Sequence, residues 1–435
     1  MASLRERLEQ NELDHGPVRV GLVGAGQMGT GLISQIEKMA GIKVVAVADV
    51  LPGRSKDAFI ESSVKSEDVH ETDDVDAATK LVQEGQRVAT VSSDFLVEID
   101  ALDVIVEATG VPEVGARVCQ AAIKAGKHIV NMNVEADATI GYYFASMAKE
   151  AGVVYSLAAG DEPGSIKELY DFADALGFEI ITIGKGKNNP LDRSATPDHV
   201  AEKAKAQNMS AKMLASFVDG TKTMVEMTSI GNATGFAPEV RGAYGPNAKV
   251  DDLPKTFVPK AAGGIFDNPG AVDYAVGVAP GVFIIITTDQ PKIINDLNYL
   301  GLLGHGNYWA LYRPYHLANL ETPITIASVA LDQRETLLTK LPPVAETLTI
   351  AKRDLKSGEQ IDGLGGYTAY GMIDRADVAR EGNLLPLGLA VGATLVRDVP
   401  LGTAISYDDV ELKDDQLIVQ LRREQDELLS NLAKA

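Results

Sequence analysis

Cysteine is nearly absent from this chain, which has only Cys119 among 435 residues. A single cysteine excludes internal disulfides and cysteine-rich metal sites. Histidine is also scarce, and none of the six histidines is paired at a spacing typical of zinc ligands, so we expect no zinc site. Apolar runs of membrane-spanning length are missing as well, and we therefore expect no membrane partner.

Positive charge is in short supply. The chain has 40 Lys and Arg against 61 Asp and Glu, a formal net charge of −21. Binding to nucleic acid depends on cations that neutralise phosphates, so nucleic acid is not an expected partner. Residues 1–14 are charged and lack the apolar stretch of a secretory signal. We expect a cytoplasmic protein.

Glycine, by contrast, is plentiful, so a glycine motif needs supporting context. Residues 18–23 have the pattern of a buried strand, and residues 27–39 have helical spacing. Between them the glycines allow a tight turn, a close approach of backbone N–H groups to a pyrophosphate, and close packing of helix on strand. This is a dinucleotide-binding fingerprint, and the expected cofactor contacts are Gly24, Gly26, Gln27, Met28 and Gly29.

The second predicted strand, residues 42–50, indicates which cofactor binds. Asp49 lies 20 residues beyond Gly29, where a carboxylate can bind the ribose hydroxyls, and alone it would favour NAD. Arg54 follows closely, and an arginine there can accommodate the 2′-phosphate of NADPH. The alternative for Arg54 is an ordinary exposed helix start. We predict NADPH.

Strands and helices continue to alternate, with further strands predicted at 87–91, 102–110, 127–131 and 153–157. This alternation is typical of a doubly wound parallel sheet. Ala108, Thr109 and Gly110 fall at the carboxyl edge of that sheet, where such folds bind ligands, so we expect them to contact the cofactor.

Two polar clusters follow strands of this sheet. Residues 131–137 end the fifth predicted strand and offer Asn133 and Glu135, and residues 160–165 end the sixth and offer Asp161 and Glu162. Both clusters should face the nicotinamide, and the adjacent carboxylates suit a divalent ion or proton transfer. The alternative for the second cluster is a cap for a helix over 165–176.

Basic residues follow in two places. Lys185 and Lys187, separated by glycine, end an apolar strand predicted from Phe178, and two asparagines follow. The lysines suit an anion; the alternative is an exposed basic loop. Lys222 and Glu226 lie in a stretch rich in Met and Val, where they would line a substrate cavity or form a structural ion pair. Residues 304–316 concentrate aromatic and cationic side chains, typical of a site or a domain interface.

The whole chain is predicted to be an α/β protein of three domains. They are a Rossmann-type doubly wound nucleotide domain (1–157), an α+β central domain for catalysis and dimerisation (158–343), and a small β-rich C-terminal domain (344–435). A helix over 324–338 should pack back on the nucleotide domain.

Several motifs carry a resemblance to known families. The A-K-R-D-L-x-x-G-E-x-I-D-G run from Ala351 and the G-x-A-I-S-x-D-D-V run from Gly402 resemble the SAF domain. Five further motifs resemble homoserine-dehydrogenase-like oxidoreductases that carry this domain. They are V-G-L-V-G-A-G-Q-M-G-T-G, D-V-I-V-E-A-T-G, N-M-N-V-E-A-D, G-D-E-P-G-S and D-G-T-K-T-M-V-E-M. Among these, the chain is most similar to the DXR-like (DRL) reductoisomerases. It lacks the motifs of ordinary DXR, and Asn131-Met132-Asn133 stands where true homoserine dehydrogenases have a lysine segment.

The resemblance implies NADPH-dependent conversion of 1-deoxy-D-xylulose 5-phosphate into 2-C-methyl-D-erythritol 4-phosphate, a step of isoprenoid biosynthesis by the MEP pathway, in a homodimer. It also implies metal ligands for Mg²⁺ or Mn²⁺, a phosphate grip and an oxyanion stabiliser. The candidate metal ligands are Asp161 and Glu162 with Glu135 or Glu226. Lys185 and Lys187 with Asn188 are the candidates for binding the phosphate, and Lys222 is the candidate oxyanion stabiliser.

Two other functions remain open, since one fold supports many. The first is a homoserine-dehydrogenase-like NAD(P)-dependent dehydrogenase of a small polyol, sugar acid or amino alcohol, which needs no phosphate on its substrate. The second is a non-catalytic, cofactor-sensing binding protein, which would bind nucleotide without turnover.

Overall fold

The computed structural model of this protein describes residues 2–207 and 209–434, with backbone only for Ala433 and Lys434. Met1, Asn208 and Ala435 lie outside that description. In the described ranges, none of the helices combines the length and the apolar character needed to cross a membrane.

The β-strands, numbered in chain order, are β1 (Val18–Val23), β2 (Ile42–Ala48), β3 (Val69–Glu71), β4 (Arg87–Thr90), β5 (Val104–Glu107), β6 (His128–Asn131), β7 (Tyr155–Leu157), β8 (Glu179–Lys187), β9 (Ala271–Val276), β10 (Val282–Thr287), β11 (Gly304–His305), β12 (Tyr308–Arg313), β13 (Ala345–Ala351), β14 (Ala369–Arg375), β15 (Thr394–Leu395) and β16 (Val410–Glu411).

The α-helices are α1 (Leu4–His15), α2 (Gln27–Ile36), α3 (Arg54–Glu61), α4 (Val75–Gln83), α5 (Ser93–Glu98), α6 (Pro112–Lys124), α7 (Val134–Ala151), α8 (Glu162–Ala175), α9 (Pro197–Ala206), α10 (Ala211–Val218), α11 (Thr221–Thr234), α12 (Leu253–Thr256), α13 (Pro291–Tyr299), α14 (Ala318–Asp332), α15 (Ala376–Glu381) and α16 (Leu417–Lys434). Single 3-10 turns lie at Ser66–Asp68, Val250–Asp252, Lys260–Ala262, Leu387–Leu389 and Tyr407–Asp409.

The chain divides into two compact units, Met1–Asp161 with Leu317–Leu338, and Glu162–His316 with Thr339–Ala435. The first unit contains a seven-stranded sheet in the order β3-β4-β2-β1-β5-β6-β7, and its strands pair in parallel. The order reverses at β1, which pairs with both β2 and β5; doubly wound sheets bind ligands at such a point. The predicted doubly wound fold is confirmed.

Apolar packing explains this sheet. β1 and β2 bury branched side chains almost completely, and Leu32, Ile33 and Ile36 of α2 pack in the same core. The predicted bounds of β1 are those observed, and the other predicted strands extend one to three residues beyond the observed ends, because period and turn chemistry are local signals. The short edge strand β3 was not predicted, since only Val69 of its three residues is buried.

Helix α14 differs from the helix expected over 324–338. It begins at Ala318, six residues earlier, and contains Pro323 in its interior. Leu337 instead forms an isolated bridge with Leu157. Pro323 is the sixth residue of the helix and lacks the N–H that would bond the Asn319 carbonyl, and the Thr322 hydroxyl donates to the Ala318 carbonyl at 2.7 Å. The apolar face of α14 shares the core of β1 and β2.

The second unit is built around a five-stranded sheet in the order β11-β12-β10-β8-β9. Strand β8 lies between antiparallel β10 and parallel β9. Helix α8 packs on β8 and β10, and α11 packs on α8 and on the hairpin β13–β14. Phe257, Phe266 and Phe283 belong to one buried cluster of this unit. The C-terminal residues form the two-stranded sheets β13–β14 and β15–β16.

The close contact at Gly29 leads to a stability prediction. A Cβ at Gly29 would lie 2.0 Å from the Gly24 carbonyl oxygen, whereas a Cβ at Gly26 would meet nothing within 4 Å. We expect Gly29→Ala to lower the free energy of unfolding by about 1–3 kcal/mol despite the helix preference of alanine. Gly26→Ala, the control, should change it by less than about 1 kcal/mol in denaturant titrations, the cost of alanine in place of an N-cap glycine. Equal stability of the two variants would contradict this.

Candidate active site

The glycine fingerprint forms the turn between β1 and α2 in the first unit. Gly24 has φ +100°, and a Cβ there would lie 2.9 Å from the Ala108 backbone. Gly26, Gln27 and Met28 are exposed, while Gly29 is buried against the turn. Gly26 caps α2 without a side-chain hydrogen bond. The first N–H groups of α2 are therefore suited to a phosphate.

Asp49 and Arg54 both reach this turn. The Asp49 carboxylate accepts the Ala25 N–H at 2.8 Å and the Leu51 N–H at 2.9 Å. Arg54 starts α3, donates to the Ala25 carbonyl at 2.7 Å, and pairs with Glu61 at 2.7 Å. Arg54 thus fits both interpretations from the sequence, since it is a helix start and lies beside the fingerprint.

Glu107 lies next to the other predicted cofactor contacts, Ala108, Thr109 and Gly110, which are partly buried. Its carboxylate accepts the Thr109 N–H at 2.9 Å and also the Thr109 hydroxyl. Burial raises the pKa of Glu107 to about 7, against the effect of the Thr109 bonds. Sequence reasoning did not single out this residue, although a glutamate ending an apolar strand is a signal for it.

Asn133 and Glu135 lie where β6 passes into α7. Asn133 is the N-cap of α7, accepting the Ala136 N–H at 3.1 Å, and donates to the Val111 carbonyl at 2.9 Å. Glu135 is buried in the first turn. These contacts give Asn133 a structural role, and the catalytic roles of both residues stay predictions.

In the second unit, one lysine joins two carboxylates. Lys185 Nζ lies 2.6 Å from Glu162 Oε1 and is hydrogen-bonded to Glu226 Oε2. Lys185 is 5% exposed and Glu226 3% exposed. The three side chains come from β8, α8 and α11, and α8 begins at Glu162 rather than at the expected Ser165. The sequence placed these residues in the site but did not predict that they pair.

The electrostatics of this group suit proton transfer. Burial alone would lower the pKa of Lys185, but the charges of Glu162 and Glu226 raise it above its ordinary value. Burial and the nearby Glu162 raise the pKa of Glu226 to about 7. At neutral pH, Lys185 therefore keeps its proton, while Glu226 is partly protonated and can either accept or donate a proton.

Lys187 and Lys222 lie near this group. Lys187 is buried on the same face of β8, and its ammonium donates to the Phe217 carbonyl at 2.6 Å. Burial and the charge of Lys185 lower the pKa of Lys187 to about 8. Lys222, partly buried on α11, favours ionisation of Glu226 and so lowers its pKa against the effect of burial. Asn188 is exposed just beyond the strand.

The glycines between the lysines have a packing role. A Cβ at Gly186 would lie 2.2 Å from the Ala279 backbone nitrogen, and one at Gly184 would lie 2.6 Å from the Phe283 ring. These glycines allow neighbouring chain segments to approach the face of β8 opposite the lysines.

The predicted metal ligands lie where the chain passes between the units, Asp161 at the end of one segment and Glu162 at the start of the next. Glu162 Oε1 lies 3.5 Å from His316 Nε2, and the same oxygen binds Lys185. A carboxylate has two oxygens with several lone pairs, so the bond from Lys185 to one oxygen of Glu162 does not exclude a cation. The metal ligands stay a prediction.

Arg313 and His316 were not predicted as site residues. Arg313 donates to the Ser165 hydroxyl at 3.0 Å and to Glu168 at 2.9 Å, and lies 4.5 Å from the Tyr315 ring centroid. His316 adjoins Glu162. The dense aromatic and cationic composition of 304–316 was the available signal, but composition does not show which side chain reaches the site.

Family models match most of both units. Residues 24–158 match the NAD-binding domain of homoserine dehydrogenase, and residues 160–322 match the catalytic domain of the oxidoreductase DRL. The chain is thus an NAD(P)-dependent oxidoreductase of the dehydrogenase type. No curated protein matched the sequence.

Solved structures resemble this chain distantly. A probable dehydrogenase from Thermotoga maritima is 14% identical over 73% of this chain and 90% of its own, with a TM-score of 0.41. Scyllo-inositol dehydrogenase from Lactobacillus casei is 15% identical over 68% and 76%, with a TM-score of 0.38. 1-Deoxy-D-xylulose 5-phosphate reductoisomerase from Zymomonas mobilis is 20% identical over 48% and 58%, with a TM-score of 0.32. Likenesses this low carry no argument about function.

The raised pKa of Glu226 predicts a pH-dependent stability. Between pH 4.5, its ordinary pKa, and about 7, the folded chain binds more protons at this site than the unfolded chain. The stability that this carboxyl contributes at low pH is therefore lost as pH rises to 7. Glutamine does not titrate. The free energy of unfolding of Glu226→Gln, relative to that of the unaltered protein, should therefore rise by roughly 3 kcal/mol between pH 4.5 and 7.

The control is Glu84→Gln, which alters an exposed glutamate on the first unit. Denaturant titrations at half-unit pH steps measure both differences. Parallel stability curves for Glu226→Gln and the unaltered protein would contradict the raised pKa.

Proposed function

We propose that this protein is an NADPH-dependent reductoisomerase that converts 1-deoxy-D-xylulose 5-phosphate into 2-C-methyl-D-erythritol 4-phosphate. The observation that carries the proposal is the buried group Glu162–Lys185–Glu226, with Lys187 beside it, inside the region that matches the DRL catalytic domain. We further propose a cytoplasmic homodimer paired through residues 158–343.

The chemistry of an α-hydroxy ketone needs this kind of group. Rearrangement requires that a hydroxyl proton is removed and that a proton is later returned to oxygen. Glu226, with a pKa of about 7, can do both near neutral pH. Lys185 holds the two carboxylates in place, and Lys222 is positioned one turn from Glu226 to stabilise a developing oxyanion.

We assign binding of the substrate phosphate mainly to Lys187. Lys185 already binds two carboxylates, so little of its charge is available to a further anion. Lys187 has a pKa lowered to about 8 by burial and by Lys185. A phosphate beside Lys187 would favour its charged form, so binding and protonation of this lysine would support each other.

NADPH, when bound, supplies the hydride, and the fingerprint of the first unit would hold it. Arg54 lies at that turn with its guanidinium bonded to Ala25 and Glu61, and would meet the 2′-phosphate.

Cofactor choice tests the role of Arg54. Arg54→Gln should raise the KM for NADPH about tenfold or more, because a charge-assisted bond to the 2′-phosphate is lost, and should change the KM for NADH less than about twofold. Arg5→Gln, on an exposed arginine of the same unit, is the control. Equal effects on both cofactors would show that Arg54 does not read the phosphate.

The direct test supplies purified protein with 1-deoxy-D-xylulose 5-phosphate and NADPH, in parallel with Mg²⁺, Mn²⁺ or EDTA. We expect NADPH consumption and formation of the branched product. Lys187→Met should lower kcat/KM at least about tenfold, since a charge-assisted bond is lost, while Lys255→Met on an exposed lysine should not. If NADPH is consumed under none of these conditions, the proposed reaction is wrong.

A second candidate is a dehydrogenase of an uncharged polyol, a sugar acid or an amino alcohol. It is favoured by the pairing of Lys185 with two carboxylates, which leaves less positive charge for a phosphate. This candidate differs in the same assay, because its turnover needs no phosphate on the substrate and should persist in Lys187→Met.

A further inference from the structure

The C-terminal module, residues 344–435, has no part in the chemistry described so far. Its hairpin β13–β14 packs along α11, the helix that carries Lys222 and Glu226. Both elements belong to the second unit. The contacts between them show what this module does for the site.

Three sets of hydrogen bonds join the hairpin to α11 along its length. The Gly371 N–H donates to the Thr221 hydroxyl at 2.8 Å in the first turn. Thr228 and Thr347 share a hydroxyl bond at 2.8 Å in the middle. The Asn232 side chain accepts the N–H groups of Val344 and Ala345, each at 2.9 Å, near the end.

These bonds fix how the helix is rotated. Positions 221, 228 and 232 fall on one face of α11, because they are spaced by seven and eleven residues, close to whole helical turns. Glu226 and Lys222 lie roughly a third of a turn around the axis from that face. The hairpin contacts one face of α11 and therefore determines where the Glu226 carboxylate and the Lys222 ammonium lie.

The start of α11 is held by a buried lysine of the module. Lys352 donates to the Ala195 carbonyl at 2.7 Å, to Asp219 Oδ2 at 2.8 Å and to the Gly366 carbonyl at 2.8 Å. Its side chain is 2% exposed and that of Asp219 0%. Asp219 Oδ1 in turn accepts the Thr221 N–H at 2.8 Å, at the first residue of the helix.

We propose that Lys352 is a positioning residue that acts through Asp219 and α11 on Glu226 and Lys222, so that the C-terminal module is a working part of the active site. A buried ion pair is a weak source of net stability, but removing one partner leaves the other charge buried without compensation. Small displacements of reacting groups are costly, on the order of 100-fold in rate for about 1 Å. The inference rests on the role given to Glu226 in the proposed function.

The test replaces the buried ammonium with an apolar chain of similar length, Lys352→Met, in the full-length protein. The matched control is Lys356→Met, the same change at an exposed lysine of the module that pairs with Asp398. Three quantities are measured: hydrogen exchange of the peptide covering 221–234, kcat and KM, and the pH dependence of kcat.

We expect Lys352→Met to speed exchange in α11 about tenfold or more and to lower kcat by a similar factor. The KM for NADPH should stay within about twofold, because the fingerprint belongs to the other unit. The acidic limb of the pH profile should move, since it reports the surroundings of Glu226. Lys356→Met should leave all three quantities unchanged.

A second variant covers the case in which Lys352→Met does not fold. Thr228→Val combined with Thr347→Val removes both partners of one bond and keeps their shape, so the fold should persist. It should change the same quantities in the same direction, by less. A folded variant with unchanged exchange in α11, or with faster exchange but an unchanged kcat and pH profile, would overturn the inference. Lack of turnover by the unaltered protein would overturn the proposed reaction instead; the exchange rates, which need no substrate, would still decide whether Lys352 fixes α11.

Discussion

The second unit depends on one buried cation. Lys185 lies near the end of β8, an interior strand of its sheet, almost without contact with water, and a charge in that position needs counter-charges. Glu162 and Glu226 provide them from two helices, so strand β8 and helices α8 and α11 meet at a single ammonium group. Glu162 also lies near His316, and Glu226 is also influenced by Lys222. Burial and the charge of Glu162 raise the pKa of Glu226 to about 7, although Lys185 and Lys222 lower it, so the packing around the lysine produces a glutamate that titrates near neutrality.

A second buried ion pair repeats this arrangement a short way along the chain. Lys352 and Asp219 join the C-terminal module to the start of α11, and Lys185 joins the body of that helix to the sheet. Helix α11 is thus tied by ionic contacts on two sides. Apolar side chains could fill the same space, but they would not define one rotation of the helix as sharply as directional bonds do.

Local features of both units could be predicted from the sequence. The bounds of β1 and the glycine turn follow from a period of two and from turn chemistry, which involve neighbouring residues only. The pairing of Lys185 with Glu162 and Glu226 could not be predicted, since the partners lie 23 and 41 residues away and meet only through packing. The start of α14 was placed too late, because a proline usually marks a helix boundary, whereas this helix begins five residues before Pro323 and continues through it.

The alternation along β8 has a consequence for sequence change. Lysines at 185 and 187 occupy one face of the strand, and glycines at 184 and 186 fill a space on the other that admits no side chain. Insertion or deletion of one residue before this run would exchange the two faces. The two lysines would then point at tightly packed backbone, and the two glycines would leave the group of Glu162 and Glu226 without its cation. A point substitution therefore alters one face of this strand, whereas a change in its length removes charge and packing together.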